Sequence, residues 1–194
     1  MTIAQIELQS YYFLVLLPMF LGFISASAVE LIKDCNARRR MRGALYREIG
    51  EMYFTLSWAV RELKDGVENW SVLSATYELL ERTLSADTYT SAKALPVLTY
   101  GIKDFTKISV VYAIFSTYNM FFRHLGVNSE AFGDNTGDQT VNLKAACQSV
   151  INSVEGPITG LNKELLLAAS RPAAQGALKE LFERAEKANA SEAA

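Results

Sequence analysis

The chain has 194 residues, half of them hydrophobic and 21% charged, with a formal net charge of −2. That length fits one domain plus an anchor, or two small units, and suffices for a real core without disulfide staples. A mildly acidic body argues against nucleic-acid binding, and no GxxxxGK[ST], GxGxxG, GxSxG or HExxH motif nominates a catalytic centre.

The first ten residues, "MTIAQIELQS", read as a short extracytoplasmic N-terminus with no Lys or Arg and one acid, Glu7. Residues 11–32, "YYFLVLLPMFLGFISASAVELI", make an apolar run with one charge, Glu30, near its end. At 1.5 Å per helical residue such a run covers about 30 Å, the hydrocarbon thickness of a bilayer. Pro18 and Gly22 would weaken a soluble helix, but both are tolerated in membrane helices. The spacing therefore predicts a single transmembrane helix. Gly22 with Ala26, and Ser25 with Ala28, put small residues on neighbouring faces, where two membrane helices approach closely.

Lys33, Arg38, Arg39, Arg40, Arg42 and Arg47 follow, six basic residues against one acid, Asp34. From Glu48 onward, 13 basic residues face 18 acidic ones. By the positive-inside rule, this segregation keeps the basic segment and the body in the cytoplasm and the N-terminus outside, at the cell (inner) membrane. The alternative is a signal peptide cleaved near Ala28. It suffers from the missing basic n-region and from an apolar stretch longer than an h-region. Anionic lipid head groups or a protein partner are the expected ligands of the six basic residues.

Residues 33–64 form a basic juxtamembrane segment and a long helix. Leu45, Ile49, Met52, Leu56, Ala59 or Val60, and Leu63 recur at steps of four and three, a stripe for packing into a bundle. With no proline between them, the apolar run and this helix are expected to form one rod. Residues 65–188 then read as an α-helical domain. Asp65–Ser71 makes a turn with Ser71 as N-cap, Val72–Leu84 a short helix, and Ser85 or Asp87 caps the next, which runs to about Leu95 before Pro96.

Tyr100–Leu125 is the most apolar part of the body. Phe105, Ile108, Val111, Tyr112, Phe115, Tyr118, Phe121 and Phe122 cover most of its circumference, which predicts a central bundle helix. The alternative is a face for an apolar ligand or partner, with Phe105, Tyr112, Phe115, Tyr118 and Phe122 as its residues. Gly126–Gln139 reads as a loop. Helices are expected at about Thr140–Val154, Ile158–Ser170 and Ala173–Ala188, separated by breaks at Gly156-Pro157 and Arg171-Pro172. Residues 189–194 should fray. With no period-2 strand run, the fold class is all-α, a bundle of five to seven helices.

Three ExxE pairs, Glu48/Glu51, Glu78/Glu81 and Glu180/Glu183, place carboxylates on one helix face. Di-metal bundles also need two ExxH motifs, which are absent, so neighbouring Arg47, Arg82 and Arg184 point to solvated ion-pair faces. Asp134–Asp138, "DNTGD", lacks the glycine and glutamate of a calcium loop. His124, the single histidine, suits a helix C-terminus. Cys35 and Cys147 have no metal spacing and read as free thiols. No cofactor is expected. The function read from these features is a membrane-anchored helical scaffold or accessory subunit of a membrane complex or homo-oligomer. The alternative is a tethered sensor binding a lipid or apolar ligand along residues 100–122.

Overall fold

The computed structural model describes residues 17–63, 70–93, 102, 104–129 and 136–192, with the side chains of 17, 70–72, 124–129, 136–138 and 192 left aside. Every element among them is a helix: α1 (Leu17–Glu62), α2 (Trp70–Thr83), α3 (Asp87–Lys93), α4 (Phe105–Ser129), α5 (Thr136–Thr159), α6 (Lys163–Ala169) and α7 (Pro172–Glu192). The chain divides into two compact units, Met1–Arg40 and Met41–Ala194.

In the first unit, residues 17–40 are helical throughout. Among the described residues no helix is long and apolar enough to cross a membrane. The physical reason lies in the charges. Leu17–Ile32 is 16 residues, about 24 Å of helix, and lengthening it toward the C-terminus takes in Lys33 and Asp34 beside Glu30. The remainder of the predicted span, residues 11–16, and the N-terminus, 1–10, lie outside the described residues.

The second unit is built on the C-terminal part of α1. Leu45, Ile49, Met52, Leu56, Ala59 and Leu63 are all buried, as their four- and three-residue spacing requires of a helix seated in a core. Around that stripe α4 packs on α2 and α5, and α7 packs on α5 and α6. Ile108, Val111, Tyr112, Phe115 and Phe122 of α4 fill the core together with Leu73, Leu80, Leu143, Val150, Val154, Leu178 and Leu181. α4 is not buried all round, however: Val110, Met120 and Phe121 lie exposed on its far side. Gly50 marks the tightest crossing of the stripe. A Cβ there would overlap Ser170 Oγ and come within 3.1 Å of Ser170 Cβ and 3.4 Å of Leu178 Cδ1.

Several element ends depart from the sequence expectation. α2 begins at Trp70, so Ser71 is inside it rather than capping it. α3 is preceded by Ala86, at φ 57, and its side chain cannot cap. Instead the Thr88 N–H donates 3.0 Å to Glu48 Oε1 of α1, so a carboxylate from another helix does the work of Ser85 or Asp87. Helix continues through Gly126–Ser129 and from Thr136, which shortens the expected loop; residues 130–135 lie outside the described residues, as do 64–69 and 94–101.

α5 runs through Gly156 and Pro157 to Thr159, overturning the expected break. Proline in the last turn costs one backbone bond just before the helix ends, and the Thr159 hydroxyl and the Gly160 N–H then bond to the Gly156 carbonyl. The helix expected at Ile158–Ser170 is reduced to α6, with Asn162 capping Leu165. Pro172 starts α7, as a first-turn proline can, and α7 carries on to Glu192, past the expected end at Ala188.

Candidate functional site: an apolar helix segment with a basic collar

Within the first unit, Met19, Phe20, Leu21, Phe23, Ile24, Val29, Leu31 and Ile32 are 48–71% exposed. A helix with large apolar side chains on every side cannot bury them against itself, and a surface this apolar is of the kind that membrane and protein contacts cover. Gly22, Ser25 and Ala26 share one face of it. That face is open: a Cβ on Gly22 would meet nothing within 4 Å, and the Ser25 hydroxyl turns back to donate 2.8 Å to the Gly22 carbonyl.

The six basic residues separate into two kinds. Lys33, Arg39 and Arg40 are exposed and Arg38 half-buried, and none is held by an ion pair or hydrogen bond to a described residue. Arg42 and Arg47 belong to the second unit and are engaged there. Arg42 is paired with Asp104, with its guanidinium 5.5 Å from the centroid of the Tyr46 ring. Arg47 Nε donates 3.4 Å to the carbonyl of Ala169, at the C-terminus of α6, where a cation meets the negative end of a helix. Structurally, then, the expected cluster of six is a free group of four and a tied pair.

Spacing could not find the carboxylates inside the bundle, because their partners are distant in sequence. Asp104 receives Arg42 and the Tyr46 hydroxyl, the latter at 2.9 Å. Burial alone would raise its pKa, yet these two donors hold it below the ordinary aspartate value. Glu48 receives the Tyr112 hydroxyl as well as the Thr88 N–H, and the Tyr112 ring stacks on Tyr89 at 4.4 Å. Burial, and then the Glu48 charge, push the Tyr112 phenol far above its usual range. Glu155 receives Tyr53 at 3.2 Å and Arg184 at 2.7 Å; burial first, and then Glu155, push Tyr53 up to about 12.

The ExxE glutamates do form exposed ion pairs, but with partners distant in sequence: Glu51 with Arg171, Glu81 with Arg123 and Glu180 with Arg61. Glu48 departs from the expectation, serving Tyr112 rather than Arg47, and Arg184 bonds Glu155. A tyrosine on the buried side of the α1 stripe, as Tyr46 and Tyr53 are, was the available signal, since a buried phenol needs an acceptor.

The aromatic residues of α4 divide between the core and its margin. Tyr112, Phe115 and Phe122 are packed inside, while Phe105 and Tyr118 sit half-buried at its margin. Beside Tyr118 an open groove of about 600 Å³ runs between α4 and α5, lined by Thr117, Tyr118, Phe121, Asn142, Ala146 and Ser149. Among the described residues no three of His, Cys, Asp or Glu converge to hold a metal ion. The side chain of His124 and residues 134–135 of the "DNTGD" segment lie outside the described residues. Cys147 is buried, and that burial pushes its thiol up to about 12, while Cys35 is exposed. Comparison with protein-family models, with curated proteins and with solved structures returned no match.

Proposed function

We propose that this chain is a membrane-anchored helical scaffold or accessory subunit. Its segment 11–32 inserts into a bilayer, and its bundle engages a protein partner or a second copy. The observation that carries the reading is the exposure of eight large apolar side chains between Met19 and Ile32. Left in water, each would forgo about 1.5–3 kcal/mol of burial. The described helix alone is too short and too charged at its end to span. The reading therefore leans on the apolar residues 11–16 to complete the crossing. The basic residues that follow support an N-terminus outside and a bundle in the cytoplasm.

Alkaline carbonate extraction of membranes tests the anchor: the protein stays with the lipid pellet if the reading holds and enters the supernatant if it fails. Protease added to intact cells tests the orientation, because digestion of the bundle from outside would reverse it. A mild-detergent pull-down tests the scaffold role. A monomer purifying alone sinks that part. The groove beside Tyr118 and Phe121 favours a second reading, a tethered sensor for a lipid or other apolar ligand. Native mass spectrometry of the purified protein tests it, with a bound small molecule lost on Phe121→Asp as the supporting result.

A further inference from the structure

Resting on the membrane reading above, we propose that Lys33, Arg39 and Arg40 form one lipid-facing arc that holds anionic phospholipid head groups. Arg38 and Arg42 stand outside that arc, and Arg47, which falls at its angle, lies about 22 Å beyond Ile32 along the helix. The division follows from helix geometry. At about 100° per residue, Lys33, Arg39 and Arg40 fall within roughly 120° of the helix circumference. Arg38 falls on the other side, beside Asp34 four residues before it. The exposures match, since Lys33, Arg39 and Arg40 are exposed and Arg38 is half-buried. Arg42 and Arg47 are committed to Asp104 and to the Ala169 carbonyl.

Height along the helix agrees with this arc. Exposed apolar side chains end at Ile32, and Lys33 to Arg40 then lie about 1.5–12 Å farther along the axis. The head-group layer of one leaflet is roughly 5–8 Å thick. Arginine side chains reach back along a helix to keep their charge at that level, so all three cations can meet phosphates. A guanidinium pairs with a phosphate through parallel hydrogen bonds. That makes Arg39 and Arg40 the stronger contacts and Lys33 the point charge nearest the hydrocarbon edge.

Cys35, the exposed thiol of this segment, gives the means to test it, because Cys147 is buried and its thiol pushed up to about 12. The full chain, carrying a fluorophore on Cys35, is reconstituted with brominated phosphatidylcholine or brominated phosphatidylglycerol, and the relative affinity is read from quenching. Each cation near the surface contributes roughly five-fold, so the wild type should prefer the anionic lipid by at least about five-fold. Lys33→Gln/Arg39→Gln/Arg40→Gln should bring the ratio close to one, while Arg38→Gln leaves it within about two-fold of wild type. Equal quenching by both lipids in the wild type overturns the lipid assignment but leaves the anchor standing. Equal loss in Arg38→Gln and the triple variant overturns the arc. No quenching by either lipid overturns the membrane reading and this inference together.

Discussion

Residues 19–32 and 45–62 belong to one helix and are similarly rich in large apolar side chains, yet they end in opposite circumstances. From Leu45 to Leu63 most of the apolar residues keep to one stripe and are buried, with Phe54 and Trp58 half-buried on the other face. From Met19 to Ile32 they surround the helix and are exposed. A stripe needs cover on one side only; a girdle needs it all round, and in the reading proposed above that cover comes from outside the chain. Periodicity, rather than apolar content, decides how much of a helix surface has to be covered.

The strongest challenge to that contrast is a truncation within the bundle. Phe115 is fully buried on α4, and Phe115→Ala should cost about 3–5 kcal/mol in denaturant unfolding. A loss under about 1 kcal/mol would show that the core around α4 is loosely packed. Next comes Glu48→Ala, which takes the acceptor from the Thr88 N–H and one of two acceptors from the buried Tyr112 hydroxyl, which keeps the Leu45 carbonyl at 3.1 Å. Losing these bonds costs about 1–3 kcal/mol, and Tyr112→Phe should cost less in the Glu48→Ala background than in the wild type. Additive effects of the two substitutions would mean that the hydroxyl and the carboxylate are energetically independent.

Gly50→Ala tests the tight crossing of the stripe and should destabilise by about 1–3 kcal/mol through overlap with Ser170. Ser170→Gly removes the atoms that a Cβ on Gly50 would strike. The cost of Gly50→Ala in that background should therefore shrink below about 1 kcal/mol, and an unchanged cost would place the strain elsewhere.

These contacts also mark the limit of what the sequence carries. The stripe of α1, the all-helical fold and the break before α7 are local matters of spacing and backbone chemistry, and they were legible. Pro157 was read as a break because spacing alone does not tell that α5 ends two residues later. Glu48 was read as a solvated neighbour of Arg47, because its true partners, Thr88 and Tyr112, stand 40 and 64 residues away. The basic collar was visible as charge segregation, whereas the withdrawal of Arg42 and Arg47 from it depends on Asp104 and Ala169, which only the fold brings near. Helix arithmetic on the sequence could have separated Arg38 from Lys33, Arg39 and Arg40.

Smaller effects come from pH, with opposite signs at the two extremes. Asp104 is held below its ordinary value, so its contribution is present above about pH 4 and is lost as pH falls through its folded value. Asp104→Asn should flatten that acid limb. Tyr53 is raised to about 12, so its contribution is present below about pH 10 and is lost as pH climbs toward 12. Tyr53→Phe should flatten the alkaline limb, followed by phenolate absorbance alongside unfolding. Both limbs belong to the bundle. A stretch of α1 without titrating partners should contribute to neither.

The smallest expected effect is the most direct probe of the contrast between the two stretches of α1. Phe23 is 71% exposed, and Phe23→Ala, the same chemical change as Phe115→Ala, should leave bundle unfolding in detergent within about 0.5 kcal/mol of wild type. If the girdle is covered by an external medium, its side chains have no stake in the cooperative unit formed by the stripe, however apolar they are. A loss of 2 kcal/mol or more would mean that residues 19–32 unfold with the bundle. Their covering would then come from this chain, and the distinction between girdle and stripe would fail.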